Sequence, residues 1–135
     1  MNETRLPRVV LADDEQHIRM LIKRILSSVR YEVVGEATNG NEATELFDKE
    51  KPDMLLLDIN MPFKDGDAVL QEVISKCPEA VVIMLTSVSD LESVKKCLDH
   101  GASNFIRKDT PINEIKEIIT QTWAAHIESR ISSDA

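Results

Sequence analysis

Five side chains that could take part in binding or catalysis lie where apolar runs of the sequence end. Asp13 and Asp14 follow one run, Asp58 follows a second, Thr86 ends a third and Lys108 follows a fourth. If these runs are strands of one parallel sheet, their carboxyl ends meet at the edge where open α/β sheets bind ligands. The pattern therefore predicts three carboxylates, one hydroxyl and one ammonium around a single site.

Three neighbouring carboxylates repel one another, and such a group persists when a cation neutralises its charge. Because every ligand is an oxygen, we expect a hard ion, Mg²⁺ rather than Ca²⁺, with Mn²⁺ able to substitute. We expect Asp14 and Asp58 to coordinate the ion directly and Asp13 to act through water. The backbone carbonyl of Asn60, two residues past Asp58, is a further expected ligand.

A carboxylate can also attack phosphorus and form an acyl phosphate. The protein then has to position the reactants and neutralise charge, with a metal ion bridging to the phosphoryl oxygens. Asp58 is the expected acceptor, Lys108 the expected ion-pair partner of one phosphoryl oxygen, and Thr86 the expected hydrogen-bond donor to another.

Two periodicities alternate along the chain and predict the elements that hold these residues. Continuous apolar runs are typical of strands covered on both faces, and apolar residues spaced i, i+3, i+4, i+7 indicate helices. The predicted strands are Val9–Ala12, Tyr31–Ala37, Met54–Leu57, Val81–Leu85 and Asn104–Ile106. Five strand–helix repeats predict a doubly wound α/β fold with helices on both faces of a parallel sheet.

Capping signals mark several predicted helix ends. Asn39 with Glu42, and Ser89 with Glu92, have the spacing of a capping box, and Thr110-Pro111 and His100-Gly101 indicate a helix start and a helix end.

The last predicted helix carries its apolar face on Ile112, Ile115, Ile119 and Trp123, and residues 129–135 form a short polar tail.

Composition excludes several classes of function. The 135 residues carry a net charge of −8, which argues against a surface for nucleic acid, and no apolar stretch approaches the length that spans a bilayer. Cys77 and Cys97 have neither metal-site nor disulfide spacing, so we expect a cytoplasmic protein with reduced thiols.

From about Arg8 to Ile127 the sequence resembles the receiver domains of two-component response regulators, which include the CheY-like proteins. The resemblance rests on four motifs, in order: Leu11-Ala12-Asp13-Asp14-Glu15, Asp58-Ile59-Asn60-Met61-Pro62 with Asp65-Gly66, Leu85-Thr86-Ser87, and Gly101 to Lys108. It implies a flavodoxin-like three-layer sandwich whose five-stranded parallel sheet has the strand order 2-1-3-4-5.

The resemblance also implies roles and partners. Asp58 matches the phosphoacceptor, Asp13 and Asp14 the acidic pair, Lys108 the invariant lysine, and Thr86 and Phe105 the hydroxyl and aromatic of the switch. A sensor histidine kinase or a histidine phosphotransfer protein would donate the phosphoryl group. The surface of helix 4, strand 5 and helix 5 would then bind an effector protein, an output domain or a second copy.

The resemblance implies a receiver domain over residues 1–128 that catalyses its own phosphorylation and dephosphorylation and is otherwise not an enzyme. It is either a stand-alone receiver or one separated from an output domain. Family members usually have proline after the lysine, often with a cis bond, but Asp109 stands here, so we expect a trans Lys108–Asp109 bond.

Two other functions remain open from the sequence. A phosphorylation-independent interaction domain on the same fold would bind its partner equally well with and without an acidic Asp58. An aspartyl-phosphate phosphohydrolase would also use an aspartate at a strand end, but Asn60 stands where its second acid belongs.

Overall fold

The computed structural model describes residues 6–87 and 90–134, and within them strands and helices alternate. The strands are β1 (Arg8–Ala12), β2 (Glu32–Ala37), β3 (Met54–Asp58), β4 (Val81–Thr86) and β5 (Asn104–Arg107). The helices are α1 (Gln16–Ser28), α2 (Gly40–Glu50), α3 (Gly66–Lys76), α4 (Leu91–Asp99) and α5 (Ile112–Asp134). Each predicted strand is present, with its ends shifted by no more than one residue.

The five strands form one parallel sheet in the order β2-β1-β3-β4-β5. The chain moves outward from β1 to β2, returns past β1 to β3 and then continues in the other direction. The order therefore reverses between β1 and β3, which is where this class of sheet binds ligands. The doubly wound architecture expected from the periodicity and the strand order implied by the family resemblance are both confirmed.

Apolar side chains fill two layers, one on each face of the sheet. Alternate residues of each central strand point to opposite layers, as in Leu55 and Leu56 of β3, which belong to different clusters. Every residue of β3 and β4 is buried, so the continuous apolar runs of the sequence correspond to strands covered on both faces.

Helices α1 and α5 cover one face, and α2, α3 and α4 cover the other. Helix α1 packs against the sheet through Ile18, Ile22, Ile25 and Leu26. The stripe of α5 packs through Ile115, Ile119 and Trp123, whereas Ile112 at its start is 53% exposed. Predicted helix packing is thus confirmed except at that first position.

Local chemistry sets several helix ends as expected. The Asn39 side chain accepts a 2.9 Å hydrogen bond from the Glu42 N–H, and Glu42 in turn accepts from the Thr38 N–H. Gly101 follows α4 with a positive φ, the conformation for which glycine is suited. The predicted pairing of Ser89 with Glu92 lies outside the described residues at Ser89.

Helix α5 is longer than the sequence suggested. It continues through the polar segment that begins at Ser129 and ends at Asp134. The segment predicted as a polar tail is therefore helical as far as that residue. Across residues 6–87 and 90–134, no helix is both long and apolar enough to cross a membrane.

Candidate functional site

The side chains predicted to carry chemistry meet at the carboxyl edge of the sheet. Backbone hydrogen bonds continue past the strand ends and hold the positions in place. The Asp13 N–H donates to the Ala37 carbonyl at 3.0 Å, and the Lys108 N–H donates to the Thr86 carbonyl at 2.8 Å. The strand ladder itself thus sets where the backbones of Asp13, Thr86 and Lys108 lie.

The ammonium of Lys108 lies among three carboxylates. Its Nζ is 2.7 Å from Glu15 Oε1, 3.0 Å from Asp13 Oδ2 and 3.2 Å from Asp58 Oδ2. Burial alone would lower the pKa of Lys108, but its contacts with Glu15 and Asp13 and the charge of Asp58 outweigh that effect and raise the pKa. Lys108 is therefore a permanently charged group of this site.

Asp58 is an ionisable group held out of water. It is 3% exposed, and burial, followed by the charge of Asp13, raises its pKa to about 7. Lys108 opposes this increase, as does the hydrogen bond that Asp58 Oδ1 accepts from the Asn60 N–H at 3.2 Å. One lysine thus does not neutralise the pair of acids, and additional positive charge would keep Asp58 ionised.

Asp13 is wholly buried, and burial raises its pKa. Its Oδ1 accepts a 2.8 Å hydrogen bond from the Glu15 N–H. Its Oδ2 has the ion-pair contact with Lys108, but it accepts no well-aligned hydrogen bond from the residues that the structure describes. A buried carboxylate oxygen without a well-aligned hydrogen bond favours a further hydrogen-bond donor or cation, because burying a charged oxygen without such a partner is costly in free energy.

Four acids offer oxygens to a cation at this edge. One carboxylate oxygen from each of Asp13, Asp14, Glu15 and Asp58 lies within 4.8 Å of the others. All-oxygen ligands, excess negative charge and a buried Asp13 oxygen that accepts no well-aligned hydrogen bond from the described residues fit a hard divalent ion such as Mg²⁺. The predicted acids therefore converge, with Asp14 on the exposed side and Asp13 and Asp58 beneath it.

Glu15 is a member of this group that sequence reasoning did not select. Its hydrogen bond to Lys108 joins residues 93 positions apart, so no local pattern could have predicted it. The available signal was its place directly after Asp13 and Asp14, at a strand end already expected to face the site.

Asn60 links Asp58 to a neighbouring helix. Its backbone N–H contacts Asp58, and its side-chain amide donates a 2.8 Å hydrogen bond to Asp90 Oδ2, immediately before α4. The role of its backbone carbonyl as a metal ligand remains a prediction. The side-chain bond to Asp90 was not predicted from the sequence.

Thr86 and Phe105 occupy adjacent strands next to the site. The buried Thr86 hydroxyl donates to the Ser87 carbonyl at 3.1 Å. Phe105, half-buried, packs against the core cluster on the α2–α3–α4 face. Their roles as switch residues remain predictions. The peptide bond between Lys108 and Asp109 is trans, as expected from the sequence.

Comparison with known proteins identifies relatives of the same kind along almost the whole chain. The family model described as the response regulator receiver domain matches residues 9–120. The chemotaxis protein CheY of Thermotoga maritima is 34% identical over 114 residues, which cover 84% of this chain and 95% of that protein.

Two further comparisons agree with this match. The transcriptional regulatory protein PdtaR of Mycobacterium tuberculosis is 38% identical over 108 residues, covering 80% of this chain and 52% of that protein. Among solved structures, the REC domain of AraT, a response regulator from Geobacillus stearothermophilus, superposes with a TM-score of 0.85 at 25% identity. That match covers 93% of this chain and 99% of the AraT domain.

Proposed function

The chain belongs to the response regulator receiver domain family, and from that premise we propose that Asp58 accepts a phosphoryl group in a Mg²⁺-dependent reaction. The observation that carries the proposal is the position of Lys108. Its ammonium contacts Asp58 and Asp13 at the sheet edge, beside a cluster of four acidic side chains whose oxygens could bind a divalent cation.

The proposed reaction is an in-line displacement at phosphorus. One oxygen of the Asp58 carboxylate forms a bond to phosphorus while the bond from phosphorus to the donor breaks and the donor leaves with its electron pair. The leaving group is a histidine imidazole when a phosphohistidine protein is the donor, and acetate when acetyl phosphate is. The product is an aspartyl phosphate.

The residues of the site have separate tasks in this reaction. Asp13, Asp14, Asp58 and the Asn60 carbonyl would hold Mg²⁺, or Mn²⁺ in its place. When bound, the ion lowers the pKa of Asp58 and neutralises charge on the phosphoryl oxygens. Lys108 supplies a permanent positive charge to one phosphoryl oxygen, and the Thr86 hydroxyl, which now bonds to a backbone carbonyl, can turn to donate to another.

The proposed output is a change of surface. When Thr86 turns toward the phosphoryl group, it would vacate space for the ring of Phe105, which lies on the neighbouring strand β5 beside Met84. Inward rotation of that ring would alter the surface formed by α4, β5 and α5. The added phosphoryl charge would thus shift the balance between two conformations of this surface. Members of this family work with kinases and effector domains.

For this chain the proposed donor is a sensor histidine kinase or a histidine phosphotransfer protein. The proposed receiver of the signal is an effector protein, an output domain or a second copy, bound through the same α4–β5–α5 surface. A cytoplasmic location is part of the proposal, and the free state of Cys77 and Cys97 suits a reducing compartment.

The test is intact-mass spectrometry after incubation with acetyl phosphate, with Mg²⁺ and separately with excess EDTA. Wild-type protein should gain one phosphoryl group with Mg²⁺ and little with EDTA. Asp58→Asn should gain none, whereas Asp99→Asn, which removes an exposed carboxylate at the end of α4, should behave as wild type.

Other outcomes would support a different function. If wild-type protein gained no phosphoryl group with Mg²⁺ present, the proposal would be wrong, and a phosphorylation-independent interaction domain would be favoured. Continuous turnover of phosphomonoesters would instead indicate a phosphohydrolase. An adduct of equal size on Asp58→Asn would place the acceptor at another residue.

A further inference from the structure

Glu15 makes the shortest of the three contacts with Lys108. Its Oε1 lies 2.7 Å from Nζ in hydrogen-bond geometry, whereas Asp13 and Asp58 make longer ion-pair contacts. The Lys108 bond is the leading cause that lowers the pKa of Glu15. Glu15 is therefore a charged partner of Lys108 in the unphosphorylated protein.

At the start of α1, the Glu15 side chain contacts Lys108 and does not cap the helix. Glu15 is the N-cap residue of α1, where a short polar side chain would normally accept a hydrogen bond from the first helical turn. Its side chain makes no such bond and extends across the site to Lys108 instead. The N-terminus of α1 therefore has no side-chain cap from Glu15, and Lys108 has Glu15 as a hydrogen-bond partner.

The three carboxylates around Lys108 differ in how readily they can leave. The side chains of Asp13 and Asp58 are 0% and 4% exposed, whereas that of Glu15 is 44% exposed. Release of a buried carboxylate would leave its charge without compensation. Glu15 can rotate into water and be hydrated, so of the three it is the one that can give up the ammonium at least cost.

Phosphorylation of Asp58 would bring a further anionic group into contact with the Lys108 ammonium. An ammonium has three N–H donors, and in this structure three carboxylates surround it. A phosphoryl oxygen that pairs with Lys108 while Asp58 is still a carboxylate, in the complex with the donor and in the transition state, takes the place of one of the three.

We propose that Glu15 is a positioning residue that occupies the phosphoryl-binding side of Lys108 and releases it as a phosphoryl group is transferred to Asp58. The inference rests on the proposed function, because it concerns the phosphoryl group on Asp58. It assigns to Glu15 the role of an internal competitor that slows phosphorylation, distinct from the ligand roles of Asp13, Asp14 and Asp58.

The experiment measures the initial rate of phosphorylation by acetyl phosphate, by intact mass, at several Mg²⁺ concentrations up to saturation. Glu15→Gln should raise the rate at saturating Mg²⁺ by roughly two- to five-fold, the range expected for loss of one partly exposed ion pair. Glu45→Gln, which removes an exposed glutamate charge from α2, should leave the rate unchanged.

Two further variants separate contact from charge. Glu15→Asp keeps the charge but is too short to reach Lys108, and aspartate favours the N-cap of α1, so it should accelerate the reaction as Glu15→Gln does. In a Lys108→Ala background, Glu15→Gln should have no additional effect, because the lysine through which it acts is absent.

Each alternative result is decisive. Equal or lower rates for Glu15→Gln at saturating Mg²⁺ would overturn the proposal, and so would a Glu15→Asp rate equal to that of wild type. A decrease confined to low Mg²⁺ would make Glu15 a contributor to the metal site instead. If wild type were not phosphorylated at all, the proposed function would fail and this inference with it. If wild type were phosphorylated and Glu15→Gln unchanged, this inference alone would fail.

Discussion

The side-chain amide of Asn60 donates a 2.8 Å hydrogen bond to the carboxylate of Asp90. Asn60 lies two residues after Asp58, and its N–H contacts that aspartate directly. Asp90 directly precedes α4, and its side chain makes no capping bond to the helix. The bond therefore joins the loop after Asp58 to the start of a helix on the proposed output surface.

Loss of this bond should loosen the start of α4. We expect Asp90→Ala to increase amide hydrogen exchange in the first turns of α4 by roughly five-fold, since one hydrogen bond to a charged group is removed. Exchange measured by mass spectrometry on peptides from α4 provides the test.

The matched control is Glu92→Gln, which removes the same charge from the first turn of the same helix. It keeps the Asn60–Asp90 bond, so exchange there should stay closer to that of wild type. Equal increases in the two variants would mean that charge near the helix N-terminus, rather than the bond to Asn60, holds α4 in place.

The raised pKa of Asp58 predicts how stability depends on pH without a divalent ion. An unfolded aspartate titrates near 3.9, whereas Asp58 in the folded protein titrates at about 7. Between these values the folded state binds more protons than the unfolded state, so the unfolding free energy falls as pH rises. The destabilisation is absent below about pH 4 and complete above about pH 7.

Asp58→Asn should remove this contribution. In EDTA at pH 8, we expect the variant to have an unfolding free energy roughly 4 kcal/mol above that of wild type, as the rise of the Asp58 pKa from near 3.9 to about 7 implies, and the difference should shrink toward pH 5. Urea denaturation at several pH values measures it, with Asp99→Asn as the control for an exposed carboxylate. Parallel pH curves for wild type and Asp58→Asn would contradict the assigned pKa.

The sequence predicted the fold and most of the site because both depend on strand ends. Each apolar run predicted a buried strand, and the residue that follows a strand has little freedom in where it lies, so Asp58 and Lys108 were located in advance. The pairings of Glu15 with Lys108 and of Asn60 with Asp90 could not be predicted. They depend on loop paths and rotamers that bring together residues 93 and 30 positions apart.

Phe63 carries a backbone strain that substitution should relieve. It has a φ of 71° within a tight turn in which the Lys64 N–H donates to the Pro62 carbonyl at 2.8 Å. The left-handed region disfavours side chains by about 1–2 kcal/mol, and the ring is 86% exposed and gains little from packing.

We therefore expect Phe63→Gly to be more stable than Phe63→Ala by about 1 kcal/mol, because both lose the ring and only glycine relieves the strain. Urea denaturation of the two variants and wild type measures the difference. A Phe63→Ala protein at least as stable as Phe63→Gly would show that the turn holds no such strain.

Gly66 should be required for the position of Asp58 at the end of β3. A Cβ built at this first residue of α3 would lie 2.3 Å from the Asp58 carbonyl oxygen and 2.8 Å from Ile59 Cα, both of them backbone atoms. The Gly66 N–H also donates to the Ile59 carbonyl at 2.7 Å, so the helix cannot move away without losing that bond. Gly66→Ala should therefore destabilise the fold by about 3 kcal/mol, as expected of severe overpacking, and should slow phosphorylation of Asp58.

Gly35→Ala is the matched control, because its Cβ would meet the flexible end of the Leu46 side chain at 3.0 Å rather than backbone. Its cost should be smaller, and its rate of phosphorylation by acetyl phosphate should match that of wild type. Urea denaturation and intact mass give both quantities for each variant. If Gly66→Ala were as stable as Gly35→Ala and equally fast, close approach of α3 to the end of β3 would not be what positions Asp58.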